Sequence, residues 1–136
     1  MSNTQNLAYA AIQVLHNFGA AAAVGGSIAA TRTESPDGRK KLAWLALAGW
    51  GTQAASGAAF GAASYYFYHR FPDIAGVAVT ALAIKMLCAA TGFLLVAAYI
   101  FLGKGWPEGK GNAILLSSVI LAATALSAAA FLRWFS

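Results

Sequence analysis

Two side chains in this sequence could do chemistry in an unusual setting. His16 and Lys85 each stand inside a long apolar stretch that holds no other ionisable acid or base. An imidazole can pass a proton, ligate a metal or haem iron, or hydrogen bond at both nitrogens. An ammonium group offers three donors and a charge. At the centre of a bilayer such groups cost roughly 3 kcal/mol or more, so they face the protein interior and count as site candidates. Counted inward from the outer boundary at about 1.5 Å per residue, His16 lies roughly 14 Å deep and Lys85, counted from Asp73, roughly 17 Å deep. Gln13, His16 and Asn17 stand at helical spacings of three and four, which places them on one face. The sequence therefore predicts an inward polar cluster of Gln13, His16, Asn17 and Lys85.

Three chemistries suit such a cluster. The first is a hydrogen-bonded knot that fixes helix register, with Lys85 bonded to His16, Asn17 or backbone carbonyls. The second is ligation of haem b or copper by His16. The third is proton or ion passage through Lys85, a small transporter. No Asp or Glu lies within the apolar stretches, so nothing there would trade protons or neutralise a cation. His69, the only other histidine, sits in Tyr68-His69-Arg70-Phe71-Pro72 at the outer end of the second stretch and reads as an interfacial residue. As a second haem or metal ligand it would have to reach the depth of His16. Met86 and Cys88 are single residues in apolar packing and form no copper cluster; a lone cysteine also makes no internal disulfide. Gly103-Lys104-Gly105 and Gly109-Lys110-Gly111 lack the spacing of a phosphate-binding loop. Ser117-Ser118 suits hydrogen bonding between helices, and no catalytic constellation is complete.

The elements that must position these groups are four apolar stretches, at about residues 7–30, 42–66, 74–102 and 113–132. Each exceeds the roughly 20 apolar residues needed to cross a bilayer as a helix. Apolar residues make up 60% of the chain and charged residues 10%; soluble domains carry about 25% charged residues. The expected fold is an all-α four-transmembrane-helix bundle, a single domain over residues 1–136 in a lipid bilayer. The first stretch lacks a basic residue before it, unlike a cleaved signal peptide, and reads as a retained helix. The net charge of +5 is spread over helix ends rather than gathered in a stripe, which excludes nucleic-acid binding.

Loop charge sets the expected orientation. Residues 31–41 carry Arg32, Arg39, Lys40 and Lys41, and residues 103–112 carry Lys104 and Lys110; the opposite side has only Arg70 and Arg133. Basic loops favour the cytoplasm, so loops 1 and 3 are expected inside and both termini outside. Trp44 and Trp106 fall near the inner boundary, and Tyr65, Tyr66, Phe67, Tyr68 and Trp134 near the outer one. Trp50 lies deeper and is expected against a helix or lipid. Ser35-Pro36-Asp37-Gly38 reads as a turn that breaks the first two helices, as does Trp106-Pro107 between the last two.

Helices in lipid associate through small residues that let backbones approach. Gly19, Ala23, Gly26 and Ala30 form such a stripe in the first stretch, with Gly25 beside it. Gly57 and Gly61 bracket a small-xxx-small motif in the second. Ala78, Ala81, Cys88, Ala89 and Gly92 share a face of the third, and Ser117, Thr124, Ser127 and Ala128 are expected on the contact face of the fourth.

The run Leu15-His16-Asn17-Phe18-Gly19-Ala20-Ala21-Ala22-Ala23-Val24-Gly25-Gly26 resembles the first helix of the CopD-like membrane proteins, where a Leu-His start precedes a Gly-Gly pair. The stretch Ala81-Leu82-Ala83-Ile84-Lys85-Met86-Leu87 is similar to a lysine-bearing helix of that group. The resemblance implies copper handling or haem binding, and carries over to His16, Gly25, Gly26 and Lys85. The leading expectation remains non-enzymatic: an accessory subunit that docks on and stabilises a larger membrane complex, of respiratory or other redox type, in a bacterial inner membrane. The alternatives are a small haem b- or copper-binding redox protein using His16, and a transporter using Lys85.

Overall fold

The computed structural model describes residues 2–136. Among them four α-helices and no strand are present: α1 Asn3–Arg32, α2 Pro36–Tyr68, α3 Val77–Leu102 and α4 Glu108–Phe135. The helices α1, α2 and α4 are longer than their apolar stretches, and polar caps extend the first two. Ser2 caps α1 by accepting from the Gln5 amide at 3.2 Å. Ser35 caps α2 by accepting from the Gly38 amide at 3.3 Å, with Pro36 at the first helical position. Ser35-Pro36-Asp37-Gly38 is thus the start of α2 and not a turn between helices. Proline lacks an amide hydrogen that this first position would leave unbonded anyway. Only residues 33–35 separate α1 from α2. His69 ends α2 in the left-handed conformation, φ 53°, returning its amide to the Tyr65 carbonyl at 2.8 Å. Gly76, at φ 55°, precedes α3, so that helix starts at Val77 instead of residue 74.

The helices run up and down in a ring: α1 touches α2 and α4, and α3 touches α2 and α4. The sequence repeat behind this is heptad-like. Gln5, Tyr9, Ile12, His16, Gly19, Ala23, Gly26 and Ala30 advance by alternating steps of four and three, and all are buried or half-buried. Such spacing keeps one stripe facing a neighbour at a shallow crossing angle. On α4 the buried stripe is Gly111, Leu115, Ser118, Ala122, Ala125 and Ala128. The expected face of Ser117, Thr124 and Ser127 is therefore one residue out of phase, apart from Ala128. Those three hydroxyls donate to their own helix carbonyls four residues back, at 2.8–2.9 Å, and need no partner helix.

The closest approach is between α1 and α2. A side chain on Gly49 would run into the backbone of Ala22 and Ala23, and one on Gly26 into the backbone of Ala46. Gly19 packs on Thr52 and Gln53. Gly25 and Gly57 take no part in packing: both are exposed, and a methyl group on either would meet no atom within 4 Å. A side chain on Gly61 would come into ordinary contact with the ring of Phe71, at 3.9 Å. At the end formed by residues 33–35 and 103–107, Arg39 donates to the Thr33 carbonyl from two nitrogens (3.1 and 3.0 Å) and reaches Glu108 at 3.4 Å. Lys110 covers Trp106, 4.0 Å from the ring centre. The two hairpins are thereby tied at one end.

Three helices, α1, α3 and α4, are long and apolar enough to cross a membrane. The second falls short of that measure, against the expectation of four equal spans. Its first turns hold Asp37, Arg39, Lys40 and Lys41, and its middle is diluted by Gly49, Gly51, Thr52, Gln53, Ser56, Gly57 and Gly61.

Candidate functional site

His16 occupies the packing stripe of α1, and its ring bridges α2 and α3. The Lys85 ammonium on α3 lies 2.9 Å from Nε2, and Ser56 Oγ on α2 lies 2.7 Å from Nδ1. The direction of the chain follows from the serine. Its single hydroxyl hydrogen goes to the Thr52 carbonyl at 2.5 Å, so Ser56 must accept from an Nδ1–H. Nε2 then carries the lone pair, which accepts from Lys85. A neutral imidazole between a cationic donor and a hydroxyl acceptor has both of its own nitrogens satisfied. Gln53 adds a fourth link by donating from Nε2 to the backbone carbonyl of His16. Phe60 closes the pocket with an edge-on contact to the imidazole, ring centres 5.8 Å apart.

A Ser–His pair can also be a nucleophile and its base. Here the polarity is reversed, since an imidazole that activates a hydroxyl must turn its lone pair toward it. The lone pair of His16 faces Lys85 instead. What this arrangement does is hold three helices at one height. Counted at about 1.5 Å per residue from the tied end of the bundle, His16 is roughly 24 Å and Lys85 roughly 26 Å along their helices.

Gln13 and Asn17 do not join the cluster. Both are exposed, and Gln13 donates to Asn17 at 2.7 Å. At about 100° per residue, Gln13 and Asn17 fall roughly 60° and 100° round the helix from His16 on the same flank. A spacing of three or four defines a face wide enough to hold both an inward and an outward residue. Ser56, Thr52 and Gln53 take their place. Their signal is in the sequence: three polar residues at one level of an otherwise apolar helix.

A second polar layer lies about two to three turns nearer the tied end. Ser27 of α1 and Ser118 of α4 are 2.8 Å apart, and Trp50 of α2 donates to Ser118 Oγ at 3.0 Å. The indole lies against Gly92 of α3, where any side chain would collide with it. All four helices meet here, and Trp50, Ser27 and Ser118 are almost fully buried. At the other end Gln5 donates to the Tyr68 hydroxyl at 2.5 Å.

Compared with protein-family models, curated proteins and solved structures, the chain matches none. The residues do not fit haem or copper, the groups that the CopD-like resemblance implies. Both nitrogens of His16 are engaged, so any metal would have to displace Lys85 or Ser56. His69 caps α2 at thirteen residues from Ser56, roughly 20 Å along the helix. No group of three His, Cys, Asp or Glu side chains comes together among the described residues. Cys88 is buried in the stripe of α3 next to Gly92, and Met86 is exposed on its flank.

Proposed function

We propose that this chain is a non-catalytic integral membrane subunit that docks on and stabilises a larger membrane complex. Respiratory and other redox assemblies in a bacterial inner membrane are the first class to search. All four helices cross the bilayer, with α2 admitted by its pairing with α1. The ends of the bundle differ in charge: Arg32, Arg39, Lys40, Lys41, Lys104 and Lys110 cluster at one, and Arg70 and Arg133 at the other. That asymmetry supports placing residues 33–35 and 103–107 in the cytoplasm and both termini outside.

One observation carries the docking role. The stripe of α2 that is buried at Ala43, Leu47 and Trp50 continues with the same spacing through Ala54, Gly57 and Gly61, yet Ala54, Gly57 and the adjoining Ala58 are exposed. Small residues suit close helix contact in lipid far more than lipid contact itself. A neighbour in the membrane is the partner this surface fits. Native mass spectrometry after extraction in mild detergent tests the reading. Other membrane chains bound to this one, with no cofactor mass on it, are expected. A lone chain or a homo-oligomer would overturn it.

A further inference from the structure

Lys85 sits in the buried stripe of α3, between Ala81 and Cys88, which are both buried. Its ammonium has three donors and one hydrogen bond among the described residues, to a neutral ring nitrogen. No counter-charge is near: Glu34, Asp37, Asp73 and Glu108 all lie at helix ends or in the segments that join helices. A membrane-embedded cation is normally paired. Here the hydrogen bond to His16 supplies an acceptor but no negative charge.

The bundle is open beside this group. The α2 and α3 helices meet where a side chain on Gly51 would touch the Phe93 ring, at 3.7 Å. Beyond that point both flanks carry exposed residues. On α2, Ala54, Gly57 and Ala58 are exposed; on α3, seven residues along the same flank from Phe93, Met86 is 63% exposed, as is Val79 to a lesser degree. Cover resumes at Gly61, half-buried against Phe71, and at Ser64, which donates to the Arg70 carbonyl at 3.0 Å. The window is thus level with Ser56, the residue linked through His16 to Lys85.

We infer that a transmembrane helix of a partner subunit enters this window between α2 and α3 and sets an aspartate or glutamate carboxylate against the Lys85 ammonium. The inference rests on the accessory-subunit reading and names its partner's chemistry. Charge decides the occupant. A second copy of this chain cannot supply the carboxylate, because none lies mid-helix. Lipid headgroups carry acids only at the surface, and Lys85 stands eight residues, about 12 Å, inside the start of α3. The small side chains of α2 let an incoming backbone come close, and the open flank at Met86 gives it width.

The test uses the intact complex in its own membrane, with the photocrosslinker benzoylphenylalanine in place of Met86. The wild-type background should yield a crosslink to a membrane-spanning segment that contains Asp or Glu. Lys85→Gln, which keeps a donor for His16 but loses the charge, should cut the yield about tenfold or more, and Lys85→Arg should keep most of it. The thermal midpoint of the free chain should be little changed in Lys85→Gln, separating lost pairing from misfolding. Exchanging the charges, Lys85→Glu against lysine at the partner's carboxylate, should restore the crosslink. A captured segment without a carboxylate, an undiminished yield in Lys85→Gln, or a fatty acid found in the window would overturn the inference while leaving the subunit reading intact. Absence of any captured chain, together with a lone chain in native mass spectrometry, would overturn both.

Discussion

His16 does its work with both ring nitrogens, so its loss strands two groups at once. His16→Ala removes the acceptor of Lys85 and the donor to Ser56. Hydrogen bonds inside membrane proteins average about 0.6 kcal/mol and reach about 1.7 kcal/mol. The unpartnered ammonium places this case at the upper end, so His16→Ala should destabilise the free chain by about 1–2 kcal/mol. Lys85→Met added to it should recover part of that loss, because the stranded charge goes with it. A double-mutant cycle by denaturation in detergent reads the coupling, expected near 1 kcal/mol; additive losses would show that the 2.9 Å contact contributes nothing. His16→Asn should be tolerated better than His16→Ala, since an amide both donates and accepts. His16 and Lys85 stand out in the sequence because nothing else ionisable shares their surroundings. Ser56 stands out only in company with Thr52 and Gln53, because a lone serine in a Gly- and Ala-rich helix usually bonds to its own backbone, as Ser117 and Ser127 do.

Between helices the glycines divide into those that touch and those that do not, and sequence alone does not sort them. Gly25 and Gly26 are neighbours, yet Gly26 faces the backbone of Ala46 and Gly25 faces nothing within 4 Å. A shift of one residue turns about 100° round a helix. The heptad positions resolve this where a helix has a long unbroken stripe, as α1 has, and mislead where small residues occupy every face, as in α2 and α4. Gly49, which pairs with Ala23, and Gly57, which is open, both look like packing glycines by composition. Gly49→Leu should separate α1 from α2 and cost several kcal/mol, in the range of severe overpacking. Gly57→Leu should leave the stability of the free chain within about 0.5 kcal/mol of wild type, as for an exposed site. Thermal unfolding of the purified chain followed by circular dichroism separates the two. An equal effect would mean that the exposed part of α2 is covered within this chain.

At the scale of the molecule, one end is fastened and the other is not. Arg39 ties residues 33–35 to α4, and the Trp50 layer joins all four helices just inside. Beyond His16 the hairpins α1–α2 and α3–α4 are held by fewer links. Fold class and helix number are legible from apolar run lengths. The helix termini are less so, because capping by Ser2 and Ser35 carries each helix past its apolar run. The proposed orientation is tested by single cysteines in a background lacking Cys88. Ser35→Cys and Gly105→Cys should be labelled by a membrane-impermeant maleimide only from the cytoplasmic side, and Asp73→Cys only from outside. Labelling of Ser35→Cys and Asp73→Cys from one side would exclude an odd number of crossings between them, and with it a spanning α2.

The composition of α2 also bears on how the chain is made. A helix carrying Thr52, Gln53 and Ser56 at mid-length partitions poorly into lipid alone, since each polar group needs a partner there. Those partners are on α1: Gln53 and Ser56 both bond to His16. Only three residues separate the two helices, so the partner is at hand as soon as α2 leaves the ribosome. The expected unit of insertion is therefore the α1–α2 hairpin, delivered sideways into the bilayer as one body. In a translocation assay α2 alone should pass through the channel, and the same α2 preceded by α1 should be retained. His16→Leu, which withdraws the ring from Ser56, should weaken that retention.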